Sequence, residues 1–130
     1  MNSIELQQPL PAVFAGRDFI VSDVWHQSLQ LKRGEAYLIE AASGTGKSSL
    51  CSYIYGYRND YQGIVSFDGK NIRNFSVTDW VEIRKHSISM LFRNYVFSLN
   101  SQLGRIFNSR ILSQDINQSK KLRLGLRCLA

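Results

Sequence analysis

Residues 41–50, AASGTGKSSL, constrain this chain more than any other stretch. Six small residues, two of them glycine, run straight into a lysine and two serines. Before them, EAYLIE (35–40) is short and apolar in its middle, and reads as a buried strand. After them, Leu50, Tyr53, Ile54 and Tyr57 fall near helical spacing. Strand, glycine loop and helix in that order predict a loop whose backbone N–H groups turn inward around phosphate. The helix N-terminus adds partial positive charge at the same place. In that geometry Lys47 reaches the terminal phosphates and the Ser48 hydroxyl ligates Mg²⁺. The candidate nucleotide-binding residues are therefore Ala42, Ser43, Gly44, Thr45, Gly46, Lys47, Ser48 and Ser49, with Ser48 also the metal ligand. The pattern G-x-x-x-x-G-K-[ST] is broken once, by Ala41 at the first glycine. If that backbone needs a positive φ, alanine is strained there by about 1 kcal/mol or more. A Gly/Ser loop that merely connects strand to helix is the plain alternative.

The surroundings narrow the choice. Upstream stands VWHQSLQLKRGEAYLIEAASGTGKSSL (24–50), and downstream YQGIVSFDGKNI (61–72) and VEIRKHSISMLF (81–92). Across residues 4–92 the chain resembles the ATP-binding subunit of ATP-binding cassette (ABC) transporters. The first segment is similar to that family's strand, GE turn, strand and Walker A loop. The second is similar to its G-x-V-x-F-D-G-x-x-I hairpin, and the third to its lead into the Q-loop strand. The resemblance implies an α/β P-loop NTPase fold, an ABC ATPase core with an N-terminal antiparallel β subdomain, here incomplete. It implies ATP and Mg²⁺ as cofactors and a cytoplasmic position, peripheral at the cytoplasmic face of a membrane. Its partners would be a transporter membrane subunit and a second ATP-binding domain, in a homodimer or heterodimer. The family often stacks an aromatic residue on adenine about thirty positions before the Walker lysine. Phe14 stands near that distance, with Phe19 the weaker candidate. Either ring packing into a β core is the alternative.

Other residues carry plainer readings. Trp25 and Trp80 are expected to pack, His26 and His86 to lie at the surface, and Cys51 to be an inert buried thiol. Asp68-Gly69 signals a hairpin turn. Asp68 is not read as a Mg²⁺-holding Walker B aspartate, because it does not end an apolar strand followed by a second acid.

The resemblance fails after Phe92, where Arg93 replaces the expected Gln. No LSGGQ-like signature, no apolar run ending in Asp-Glu and no switch histidine follows. No catalytic residue is therefore assigned, and a chain lacking them is expected to be hydrolytically inactive. The chain divides accordingly into residues 1–92, the front of an ABC ATP-binding domain, and a basic tail, residues 93–130, expected to be poorly ordered. Back-translated and read one base earlier, residues 93–111 resemble the family's segment after the Q-loop. A single-base deletion at Phe92 is the expectation this raises. An incomplete sheet predicts exposed apolar surface, poor solubility and weak or absent ATP binding.

Charge sharpens the division. The chain has 130 residues and a net charge of +6. Acids and bases balance across residues 1–92, so the excess lies in the tail, at Arg93, Arg105, Arg110, Lys120, Lys121, Arg123 and Arg127 against Asp115. A non-hydrolytic remnant whose basic tail grips nucleic acid or anionic lipid is the alternative function. The tail offers few aromatics for base stacking, which argues against nucleic acid as its partner. A kinase or GTPase reading lacks a guanine-reading N-K-x-D. No apolar run approaches the roughly 18 residues that span a bilayer, and no secretory signal is visible. Two distant cysteines, Cys51 and Cys128, fit a reducing compartment.

Overall fold

Alternating apolar residues decide which faces meet. In the computed structural model, which describes residues 1–17, 20–90 and 120–124, strand β1 (Ser3–Pro11) buries Leu6 and Leu10, and β4 (Tyr61–Phe67) buries Tyr61, Val65 and Phe67. These two strands pair antiparallel, Leu6 opposite Val65. On the other edge of β1 lies β2 (Ser28–Lys32), and on the far edge of β4 lies the two-residue β5 (Lys70–Asn71), giving the order β2-β1-β4-β5. All contacts in this sheet are antiparallel, matching the expected antiparallel β subdomain.

The β1–β4 register shifts between Gln7 and Leu10, where Gln8 adopts φ 47°. Gly63 faces that bulge at φ 84°, and a Cβ there would lie 2.3 Å from the Gln8 carbonyl oxygen. Only glycine fits such an approach. Asp68 (φ 48°) and Gly69 (φ 82°) make the tight β4–β5 turn, as the Asp-Gly pair predicts. The Asp68 carboxylate also accepts from the N–H groups of Asn2 (2.8 Å) and Ser3 (2.7 Å). Those bonds, Asn2 first, hold its carboxyl below the usual range and tie the start of β1 to the hairpin.

Helix α1 (Lys47–Ile54) lies across this sheet with Leu50 and Tyr53 buried. Helix α2 (Val77–His86) begins at a capping box. The Ser76 N–H and hydroxyl donate to the Asp79 carboxylate, and the Ser76 oxygen accepts from the Asp79 N–H at 3.2 Å. The Ser76 N–H, then its hydroxyl, then Lys70 lower the Asp79 pKa to about 2. Arg84, Lys85 and His86 close the last turn, where cations suit the helix dipole. The core gathers Leu6, Leu10, Phe14, Val24, Trp25, Leu50, Tyr53, Tyr61, Val65, Phe67 and Ile72 between sheet and α1.

Strand β3 (Tyr37–Ala41) stands outside that sheet and pairs in parallel with β6 (Lys120–Leu124). Two expectations need correcting here. β3 is not a buried strand: its residues alternate between half-buried and exposed, and Leu38 is 41% exposed. Among the described residues β6 is its one strand partner, so β3 is paired on a single edge. Residues 120–124, placed in a poorly ordered tail, form a strand because Leu122 opposite Ile39 supplies an apolar contact against the core. Residues 93–119 and 125–130 of that tail, Cys128 among them, lie outside the described residues, as does Phe19.

Candidate phosphate site

β3 ends at Ala41, and the chain turns through residues 42–46 into α1. Two glycines make the turn possible: Gly44 has φ 78° and Gly46 φ 96°. Gly46 is the N-cap of α1 and offers no side chain to the first-turn N–H groups. No acidic residue occupies that turn. An anion is the natural partner of such an end. The positive φ that would strain an alanine at this position is not adopted. Ala41 pairs with Leu124 as the last residue of β3 and does not have a positive φ.

Lys47 lies on the loop it follows. Its Nζ donates to the Ala41 carbonyl and, at 2.9 Å, to the Ala42 carbonyl, so the ammonium spans the loop from within. Thr45 is turned inward. It is 5% exposed, its hydroxyl donates to the Ala42 carbonyl (2.7 Å), and its own carbonyl accepts from the Trp25 indole N–H (3.1 Å). The Thr45 side chain is thus committed to loop shape. Ser48 is exposed on the first turn of α1, and Ala42, Ser43 and Gly44 are exposed along the loop. The Ser49 hydroxyl accepts from Arg58 Nη1 at 3.1 Å, and Arg58 also pairs with Asp60.

Trp25 is the functional residue that sequence reasoning undervalued. It was expected to pack, and it does, fully buried. It also forms the floor of the loop: a Cβ on Gly46 would lie 2.8 Å from Trp25 Cζ2. The sequence carries no sign of this, because the partner is a backbone carbonyl twenty residues on. Phe14 packs beside the same glycine, 3.5 Å from that Cβ position. Its ring is 6% exposed, and the Arg17 guanidinium sits 5.4 Å from its centroid. The structure therefore brings Phe14 to the loop, with Arg17 on its ring.

Two further differences concern α1. It ends at Ile54, not near Tyr57. Gly56 turns the chain at φ 76°, and Trp80 lies over it where a Cβ would meet Cη2 at 2.4 Å. Cys51, expected to be buried, is exposed, because Leu50 and Tyr53 take the inward face. Asp68 keeps to its turn, and His26 and His86 are exposed as expected. Among the described residues no three His, Cys, Asp or Glu side chains could hold a metal ion together.

The family model for ABC transporters matches residues 25–125. The chain belongs to the ABC transporter family. The match runs from Trp25 through the phosphate loop and past Phe92 to the end of β6. The chain is 36% identical over 111 residues to the oligopeptide transport ATP-binding protein OppF of Haemophilus influenzae, covering 76% of this chain and 33% of that one. It is 33% identical over 84 residues to the methionine import ATP-binding protein MetN of Campylobacter jejuni, covering 63% of this chain and 24% of the other. To the thiamine import ATP-binding protein ThiQ of Brucella abortus it is 28% identical over 123 residues, covering 87% and 51%. The chain thus spans a quarter to a half of these ABC relatives. Membership gives it the P-loop NTPase fold and a nucleotide-binding role, and displaces the kinase and GTPase reading.

The nucleic-acid alternative is weakened by where its charges go. Lys120 Nζ pairs with Glu35 at 2.8 Å and Lys121 Nζ with Glu40 at 2.8 Å. Two of the four clustered cations are therefore engaged within the chain, and Arg127 lies outside the described residues. No helix among the described residues is long and apolar enough to cross a membrane.

Proposed function

We propose that this chain holds ATP with Mg²⁺ at the phosphate loop, as the nucleotide-binding part of an ABC transporter. The observation that carries the reading is the α1 N-terminus. It is capped by a glycine without a side chain, and the Lys47 ammonium lies across the loop beside it. Phosphate oxygens would take the first-turn N–H groups, and Lys47 would turn from carbonyl acceptors to the terminal phosphates. The residues assigned to this are Ala42, Ser43, Gly44, Thr45, Gly46, Lys47, Ser48 and Ser49. Adenine would lie against Phe14, in place of Arg17.

Magnesium fits as part of the nucleotide complex. Ser48 supplies one hard oxygen ligand at an exposed position, and Mg²⁺ keeps several waters and phosphate oxygens when so bound. The motifs that hydrolysis requires do not occur in these 130 residues, so the chain as it stands binds without turnover. In the intact transporter a membrane subunit and a second ATP-binding domain would couple hydrolysis to transport, at the cytoplasmic face of the membrane. The names of the relatives support this reading. The frame change at Phe92 is a separate proposal about the gene, checked by resequencing the codons for residues 91–93.

The test is an ATP titration of the full chain, with and without Mg²⁺, beside Lys47→Ala. Saturable binding strengthened by Mg²⁺ and weakened about 10- to 100-fold by the substitution is expected, the range of a lost hydrogen bond to charge. Equal binding by both proteins would refute the assignment.

A further inference from the structure

We infer that β6 is the positioning strand of the phosphate loop: it holds both the strand that leads into the loop and the turn that lies beneath it. The inference rests on the nucleotide-binding reading above. It starts from the register. Tyr37, Leu38, Ile39, Glu40 and Ala41 stand opposite Lys120, Lys121, Leu122, Arg123 and Leu124 in turn. The ladder therefore reaches Ala41, whose carbonyl receives Lys47.

Side chains fix that register. Lys120 bridges both oxygens of Glu35 at 2.8 Å, and Lys121 meets Glu40 at 2.8 Å. Ile39 and Leu122, opposite one another, both pack against the core. Slipping the strand by one residue would turn Leu122 outward and part both ion pairs. Exposed pairs contribute little stability each, so their role here is to choose the register while the ladder and Leu122 hold it.

The second hold is on the turn before β2. The Arg123 N–H donates to the Asp23 carboxylate (2.8 Å), and the Asp23 N–H donates to the Arg123 carbonyl (2.8 Å). Next to them, the Ser22 hydroxyl donates to the Arg123 carbonyl (3.4 Å). The same Ser22 oxygen accepts from the N–H groups of Val24 (3.1 Å) and Trp25 (2.9 Å). Trp25 then donates to the Thr45 carbonyl and fills the space beneath Gly46. Arg123 thus reaches the loop through Asp23, Ser22 and Trp25, while Leu124 reaches it through Ala41. Lys120, Lys121, Asp23 and Arg123 are positioning residues: their described ion pairs and side-chain hydrogen bonds are with Glu35, Glu40, Ser22 and one another, outside residues 42–49.

The experiment uses the full chain and two readouts: ATP affinity with Mg²⁺, and amide hydrogen exchange. Lys120→Glu with Lys121→Glu places like charges opposite Glu35 and Glu40. About a tenfold loss of affinity is expected, with faster exchange in β3 and unchanged protection in β1 and β4. Adding Glu35→Lys and Glu40→Lys should restore both. Asp23→Ala, which leaves the ion pairs intact, should weaken binding about threefold. Unchanged affinity despite lost β3 protection would overturn the positioning role, and unchanged β3 protection would overturn the brace itself. Loss of protection in β1 and β4 as well would show a general structural role instead, and would also overturn it. A wild-type chain that binds no ATP refutes the site, while β3 protection still decides whether β6 is paired.

Discussion

The antiparallel sheet and the β3–β6 pair belong to one chain but are held by different forces. β1 is paired on both edges and sends Leu6 and Leu10 into a core shared with Val65 and Phe67. β3 has β6 on one edge, alternates between half-buried and exposed, and is steered by ion pairs at Glu35 and Glu40. Burial of apolar area is strong and fixes which face turns inward, whereas exposed charge pairs are weak and only help to choose the pairing. The region with the stronger core carries little of the candidate site, and the weaker one leads into the phosphate loop. Between them stands Trp25, buried in the common core and bonded to the loop.

Trp25 is therefore where the contrast breaks most severely. Trp25→Ala should cost about 3–5 kcal/mol in a denaturant melt, as for large buried aromatics. A loss below about 1 kcal/mol would show that the two regions do not share this residue's packing. A smaller perturbation sharpens the contrast from the side away from the loop. Ser76→Ala opens the α2 capping box and should cost about 1 kcal/mol. It should leave ATP affinity unchanged, since the capping box ties only Ser76 and Asp79 to each other and no bond it makes reaches residues 42–49. A fall in affinity with this substitution would mean that the two regions are coupled through α2.

Acid should produce the mildest effects. Asp68 and Asp79 carry depressed folded pKa values, the first through the Asn2 and Ser3 N–H groups, the second at about 2. Glu35 is depressed chiefly by the bond from Lys120, and belongs to the β3–β6 side. Groups of this kind contribute stability above their unfolded values near 4, and lose it as pH falls through the folded ones. Stability should be flat above about pH 5 and decline between about pH 4 and 2. An NMR titration of Asp79 with its midpoint near 4 would contradict the closed capping box.

Much of this was legible in residue order. The glycine loop, the Asp68-Gly69 turn and the segments 24–50 and 61–72 all act through neighbours in sequence, and each stands where it was read. The Q-loop strand expected after 81–92 lies outside the described residues. Cys51 and Tyr57 were misplaced because a helical period does not say where a helix stops, and Gly56 stops this one under Trp80. Ala41 was judged by a pattern's glycine, although its backbone is that of a strand end. The Trp25 bond to Thr45 and the pairing of β6 with β3 span twenty and more than eighty residues. No local period records such contacts. The complementary charges at Glu35/Lys120 and Glu40/Lys121 were the available signal, and only three-dimensional proximity gives them meaning.

The central claim is that phosphate is received by the loop and first turn of α1. The most direct measurement is an amide NMR titration of the full chain with ATP and Mg²⁺. The account predicts the largest shifts at residues 42–49, smaller ones at Trp25 and along β3, and almost none in β4, β5 or α2. Shifts concentrated in the antiparallel sheet or at Lys120 and Lys121, with residues 42–49 unmoved, would contradict it.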